Sequence, residues 1–95
     1  MNKYTVLTNK LNDIIKYIDC MEVEHETSRE YLLIYKDFVK KILQEVKCKF
    51  IAGSQEGNLG LIRGISDYDE ICNDNGLWNL LCDAENYYKS EYKNL

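Results

Sequence analysis

Between Thr27 and Cys48 the apolar residues fall at Tyr31, Ile34, Tyr35, Phe38, Val39, Ile42, Leu43 and Val46. Steps of three and four place them on one broad face of a helix. Lys36, Lys40, Lys41, Glu45 and Lys47 take the other face, and the whole chain has no Pro to interrupt the pattern. Thr27 followed by Glu30 matches a capping box, in which a hydroxyl and a carboxylate satisfy free N–H groups reciprocally. Leu32 and Leu33 widen the stripe near its start, so this helix is expected to be covered from more than one side. A long amphipathic helix must bury its stripe, and the rest of the chain is short: 95 residues allow one domain with one modest core.

The flanking segments also read as helices. From Thr5 to Met21, Leu7, Leu11, Ile14, Ile15, Ile18 and Met21 repeat at helical spacing. The link Glu22-Val23-Glu24-His25-Glu26 is short and acidic, so the first two helices are expected to form an antiparallel αα-hairpin. Beyond Cys48, four of the five glycines (Gly53, Gly57, Gly60, Gly64) fall within twelve residues. That density disfavours a helix interior. The expectation is an irregular joint with a short helical turn; a small hairpin pairing 49–52 with 59–63 is the alternative. Ser66 then reads as the cap of a short third helix holding Asp67, Asp69 and Glu70 in its first turn. Asn75-Gly76 reads as its stop. Leu77, Leu81, Ala84, Tyr88 and Tyr92 mark a fourth helix, widened by Trp78, Leu80 and Tyr87. The predicted fold is all-α: a small antiparallel bundle of about four helices with a Gly-rich central joint, in one domain spanning 1–95.

Composition narrows the function classes. A net charge of −4 and a pI near 4.9 disfavour direct nucleic-acid or anionic-membrane binding. No apolar run approaches the ~20 residues of a membrane span. Met1–Thr5 lacks the basic stretch and apolar run of a secretory signal. Cys20, Cys48, Cys72 and Cys82 form no Cys-x-x-Cys pair, and His25 is the single imidazole. Half-buried free thiols in a reducing cytoplasm are therefore expected, with no metal and no cofactor.

Motif tests are mostly negative. The glycines from 53 to 64 are followed by Ile65-Ser66, not by the Lys-Ser or Lys-Thr of a phosphate-binding loop. Setting Gly76 at the sixth position of a calcium loop puts Ile71 first and Cys82 twelfth, where the strongest ligands belong, so a standard EF-hand is excluded. A nucleophile–base pair of Cys20 or Cys48 with His25 has no local support.

The distribution of charge is more informative. Asp19–Glu30 holds five acids and one base, and Gly64–Glu85 six acids and no base. Between them, Lys36–Lys49 carries five lysines against Asp37 and Glu45. Asp67, Tyr68, Asp69, Glu70, Asp74 and Trp78 combine acids with aromatics, a composition that suits docking of a basic protein; Glu22, Glu24 and Glu26 form a second patch.

The acid-aromatic stretch Ser66–Tyr88 and the acidic turn Glu22–Glu26, in a small, acidic, mostly helical chain rich in Asn, Lys, Ile and Tyr, resemble bacterial immunity proteins of the colicin and contact-dependent growth-inhibition type. The resemblance is one of type. The paired-tyrosine signature of the DNase-colicin branch cannot be placed, because Tyr87-Tyr88 stands in another context, so no residue role is carried over. The resemblance implies a non-enzymatic, cytoplasmic inhibitor whose acidic surface occludes a basic toxin domain, typically a nuclease. Three other readings are open: a phage-encoded inhibitor of a host defence complex (anti-CRISPR type), a small cysteine-dependent enzyme, and a helical subunit of a larger assembly.

Overall fold

The computed structural model describes residues 3–48 and 60–92. Four helices follow one another: α1 (Lys3–Cys20), α2 (Glu26–Lys47), α3 (Asp69–Cys72) and α4 (Asn75–Tyr92), with a 3₁₀ turn at Arg63–Ile65 before α3. No strand occurs among the described residues. The predicted all-α bundle is what forms. The boundaries of α1 and α2 fall within two residues of those read from periodicity.

The central helix is α1, which packs against α2 on one side and α4 on the other. Its stripe of Leu7, Leu11, Ile14 and Ile18 is buried. Cross-helix contacts set the directions. Lys36 pairs with Asp19 across α1 and α2. Lys10 pairs with Asp83, and Tyr17 with Asp74, across α1 and the start of α4. Both neighbours thus run antiparallel to α1. Tyr35, Val39, Ile42 and Val46 from α2 and Leu77, Leu81, Ala84 and Tyr88 from α4 complete the core with Leu61, Ile65 and Ile71.

Three local readings are corrected. The capping box at Thr27 does not form. The helix starts one residue earlier with His25 as its cap, no side chain of its own caps it, and Thr27 and Glu30 are exposed. The Glu70 carboxylate instead reaches across from α3 and accepts from the Glu24 and His25 N–H groups, each at 3.1 Å. A distant acid does what the local box was expected to do. Ser66 does not cap α3: its hydroxyl donates to the Ile62 carbonyl at 2.9 Å, and Tyr68 precedes the helix. Asn75-Gly76 does not stop α3 but opens α4. Asp74 is the cap, its Oδ1 accepting from the Leu77 N–H at 3.0 Å. Gly76 sits there because the Tyr17 ring lies against it; a Cβ would come within 2.2 Å of the Tyr17 hydroxyl oxygen.

The predicted coverage of α2 from several sides is also corrected. Leu33 and Ile34 are each 64% exposed and Phe38 38%. Of the Gly-rich joint, residues 49–59 lie outside the described residues. Residues 60–65 form turns and a 3₁₀ turn rather than a hairpin strand.

Candidate functional site

The two acidic segments, separate in sequence, share one end of the bundle. The α1–α2 link, α3 and the start of α4 meet there, and the two hydrogen bonds from Glu70 to the link tie them together. The capping of α4 by Asp74 and the bond from the Tyr17 hydroxyl to Asp74 Oδ1 at 2.5 Å close the same end.

The candidate residues divide into two groups by what their side chains do. Glu22, Glu24, Glu26, Asp67 and Asp69 are exposed. Trp78, in the first turn of α4, is 37% exposed. Glu70 and Asp74 are half-buried, and their carboxylates accept the backbone bonds just described. Tyr68 is half-buried too. Its ring stacks on Tyr31 with centroids 4.0 Å apart and planes 9° from parallel. Glu70, Asp74 and Tyr68 therefore build the end of the bundle, and the exposed acids and Trp78 decorate it.

The only base within the first acidic segment is turned inward. Arg29 Nη1 donates to the Val23 carbonyl at 3.1 Å and the Glu24 carbonyl at 3.4 Å. Its charge anchors the link and leaves the outward carboxylates without a cation between them in that segment. Beside the link, α1 and α2 enclose a groove of about 260 Å³. Ile18, Met21, Val23, Leu32 and Leu33 supply its apolar wall, and Asp19, Arg29 and Lys36 its charged members. Glu22 and Glu24 flank Val23 in sequence, so an apolar recess adjoins exposed acids.

Four tyrosines and one buried acid carry the chain between α2 and α4, and none of them stood out in the sequence. Leu61 is gripped at both peptide groups. Its N–H donates to Glu85 Oε1 at 2.9 Å, and its carbonyl accepts from the Tyr35 hydroxyl at 2.7 Å. The Tyr31 hydroxyl donates to the Gly64 carbonyl. A Cβ on Gly64 would lie 2.8 Å from the Tyr35 ring, so only glycine lets this segment approach α2. Glu85 is only 4% exposed. A signal for it existed: Glu85 falls four residues after Leu81 and three before Tyr88, inside the apolar stripe of α4.

The same contacts perturb the phenols. The hydrogen bond to Asp74, then burial and the Asp74 charge, push Tyr17 above its usual value. Burial, then Tyr68 and Asp67, raise Tyr31. Burial, then Tyr31 and Glu85, raise Tyr35 further.

All four cysteines are free, with Cys20 and Cys48 exposed. Among the described residues no group of three or more His, Cys, Asp or Glu is placed to hold a metal ion. Among them, too, no helix is long and apolar enough to cross a membrane. No family model, curated protein or solved structure matches this chain.

Proposed function

We propose that this protein is an immunity protein: a non-enzymatic, cytoplasmic inhibitor that binds a basic toxin domain, a nuclease by preference, at the acidic end of its bundle. The observation that carries the reading is the joining of Glu22–Glu26 to Asp67–Asp69 through Glu70. Two sequence-distant acidic runs become one surface, with Trp78 and the groove at Met21, Val23 and Leu33 as apolar anchors beside it. Exposed carboxylates mimic a phosphate backbone toward the lysines and arginines of a nuclease and steer its approach. The contact residues are then Glu22, Glu24, Glu26, Asp67, Asp69 and Trp78, with Tyr68, Glu70 and Asp74 holding them in place.

The test is affinity capture from lysate of the source cells at low salt, followed by a nuclease assay of the captured protein with and without added inhibitor. A variant with Glu22→Gln, Glu24→Gln, Asp67→Asn and Asp69→Asn is the control. The reading requires a basic toxin domain that is inhibited at equal stoichiometry, is released by raised salt, and is not bound by the variant. A partner bound equally well by the variant, or one whose activity is unaffected, would refute it.

A further inference from the structure

The exposed side of α2 carries an apolar pair that nothing in the fold covers. Ile34, in mid-helix, is 64% exposed, and Phe38, one turn on, is 38% exposed. Large aliphatic side chains at that exposure on a helix of 22 residues are unusual for a face that meets only water. Glu30, Ile34, Phe38 and Lys41 follow at steps of four, four and three, so they form one continuous stripe. Leu33 lies to the other side, in the groove against α1.

Charge along α2 is antisymmetric about this pair. Glu26 and Glu30 precede it, and Lys40, Lys41 and Lys47 follow it; these five side chains are all exposed. Such a helix is complementary to its own reverse. Turned end for end about a point between Ile34 and Phe38, a second α2 sets its Phe38 against Ile34 and its Lys41 beside Glu30. The two-fold axis repeats both contacts.

We propose that this face is a self-association surface, on which α2 of a second copy of the chain packs antiparallel. Ile34 and Phe38 of both copies form its centre, with Glu30–Lys41 pairs at each end. A parallel arrangement would set like charges against one another, and a purely acidic or purely basic partner would match only half of the stripe. Because the two helices run in opposite directions, the acidic ends of the two bundles point away from each other. The surface is therefore independent of the binding end described above.

The experiment is sedimentation equilibrium from about 1 µM to about 1 mM chain at low salt, in reducing buffer because Cys20 and Cys48 are exposed. The expected result is a reversible dimer. Ile34→Glu should raise its dissociation constant by about 100-fold or more, since the axis counts each lost apolar contact twice. Glu30→Lys and Lys41→Glu should each weaken it by about 10-fold, and the double swap should restore it. Ile34 and Lys41 are exposed, so far-UV circular dichroism should show an unchanged fold. Should Ile34→Glu fail to fold, the charge series decides alone. A monomer over the whole range, a dimer indifferent to Ile34→Glu, or a double swap that adds to the loss would each overturn the proposal.

Discussion

Gly76→Ala tests the closure of the acidic end, because two physical effects oppose each other there with different signs. Alanine is the better helix former, by up to about 1 kcal/mol in a helix interior and less in the first turn, where Gly76 lies. Propensity alone therefore makes the substitution stabilising. The packing says otherwise. A Cβ would stand 2.2 Å from the Tyr17 hydroxyl oxygen and 2.7 Å from the ring carbon that bears it. Neither distance is tolerable, so the ring must move and take its hydroxyl from Asp74 Oδ1, now at 2.5 Å. A hydrogen bond to a charged group contributes about 1.5–3 kcal/mol, and displaced ring packing adds to the loss. The net expectation is destabilisation by about 1–3 kcal/mol, or several degrees in melting temperature for a chain of this size. Urea unfolding followed by far-UV circular dichroism, with Trp78 fluorescence as a second probe beside the site, measures it. The decisive control is the same substitution in a Tyr17→Ala background. With the ring gone the clash is gone, and Gly76→Ala should become neutral or stabilising. That change of sign is a coupling only neighbouring residues can show. Stabilisation by Gly76→Ala in the unaltered chain would refute the reasoning.

Two further outcomes follow from contacts that tie the joint to the helices. Glu70→Gln retains one oxygen acceptor but loses the charge and the second acceptor that hold the Glu24 and His25 N–H groups; it should cost about 1–2 kcal/mol and speed hydrogen exchange at those two amides, and unchanged exchange would show that Glu70 does not hold the link. Tyr17, Tyr31 and Tyr35 are all raised above the ordinary phenol value of 10.0, so below pH ~10 the phenols are neutral in both folded and unfolded chains and their contribution to stability is complete. Above it the unfolded chain loses protons that the folded chain keeps, and stability should fall by up to about 1.4 kcal/mol per pH unit for each such tyrosine until the folded value is passed. Melting curves from pH 8 to 11.5, read with phenolate absorbance, check the sign; a stability that rises through pH 10 would contradict it.

How much of this was legible in the chain depends on the range of the interaction. The stripes of α1, α2 and α4 are properties of single segments, so Leu7 to Ile18 and Leu77 to Tyr88 could be assigned to the core from spacing alone. Caps are local in pattern but not in outcome. Thr27 and Glu30 have the right spacing for a box, yet Glu70, forty residues further on, satisfies the N–H groups just before α2. Asn75-Gly76 has the composition of a stop, yet the same residues start a helix once Asp74 caps it and Tyr17 requires a glycine. The error has one physical source. A short polar or glycine-rich motif fits several conformations at similar energy, and tertiary contact chooses among them. The exposure of Leu33 and Ile34 was missed for the complementary reason. Periodicity shows which residues share a face but does not show whether another element reaches it.

The acidic end shows why counting charges could locate a surface but not its working residues. Its carboxylates look alike in sequence, yet Glu70 and Asp74 accept backbone N–H groups whereas Glu22, Glu24, Glu26, Asp67 and Asp69 stand in solvent. Removing charge from the first pair leaves half-buried donors without acceptors and so acts on folding. Removing it from the second group leaves the fold's bonds intact and changes only the field that a partner meets. The two groups should therefore separate in experiment, stability following Glu70 and Asp74 and salt-dependent association following the exposed acids. If association instead followed Glu70 or Asp74 alone, with stability unchanged, these carboxylates would have to leave their backbone partners to meet the ligand. The closed end described here would then be only one of two states.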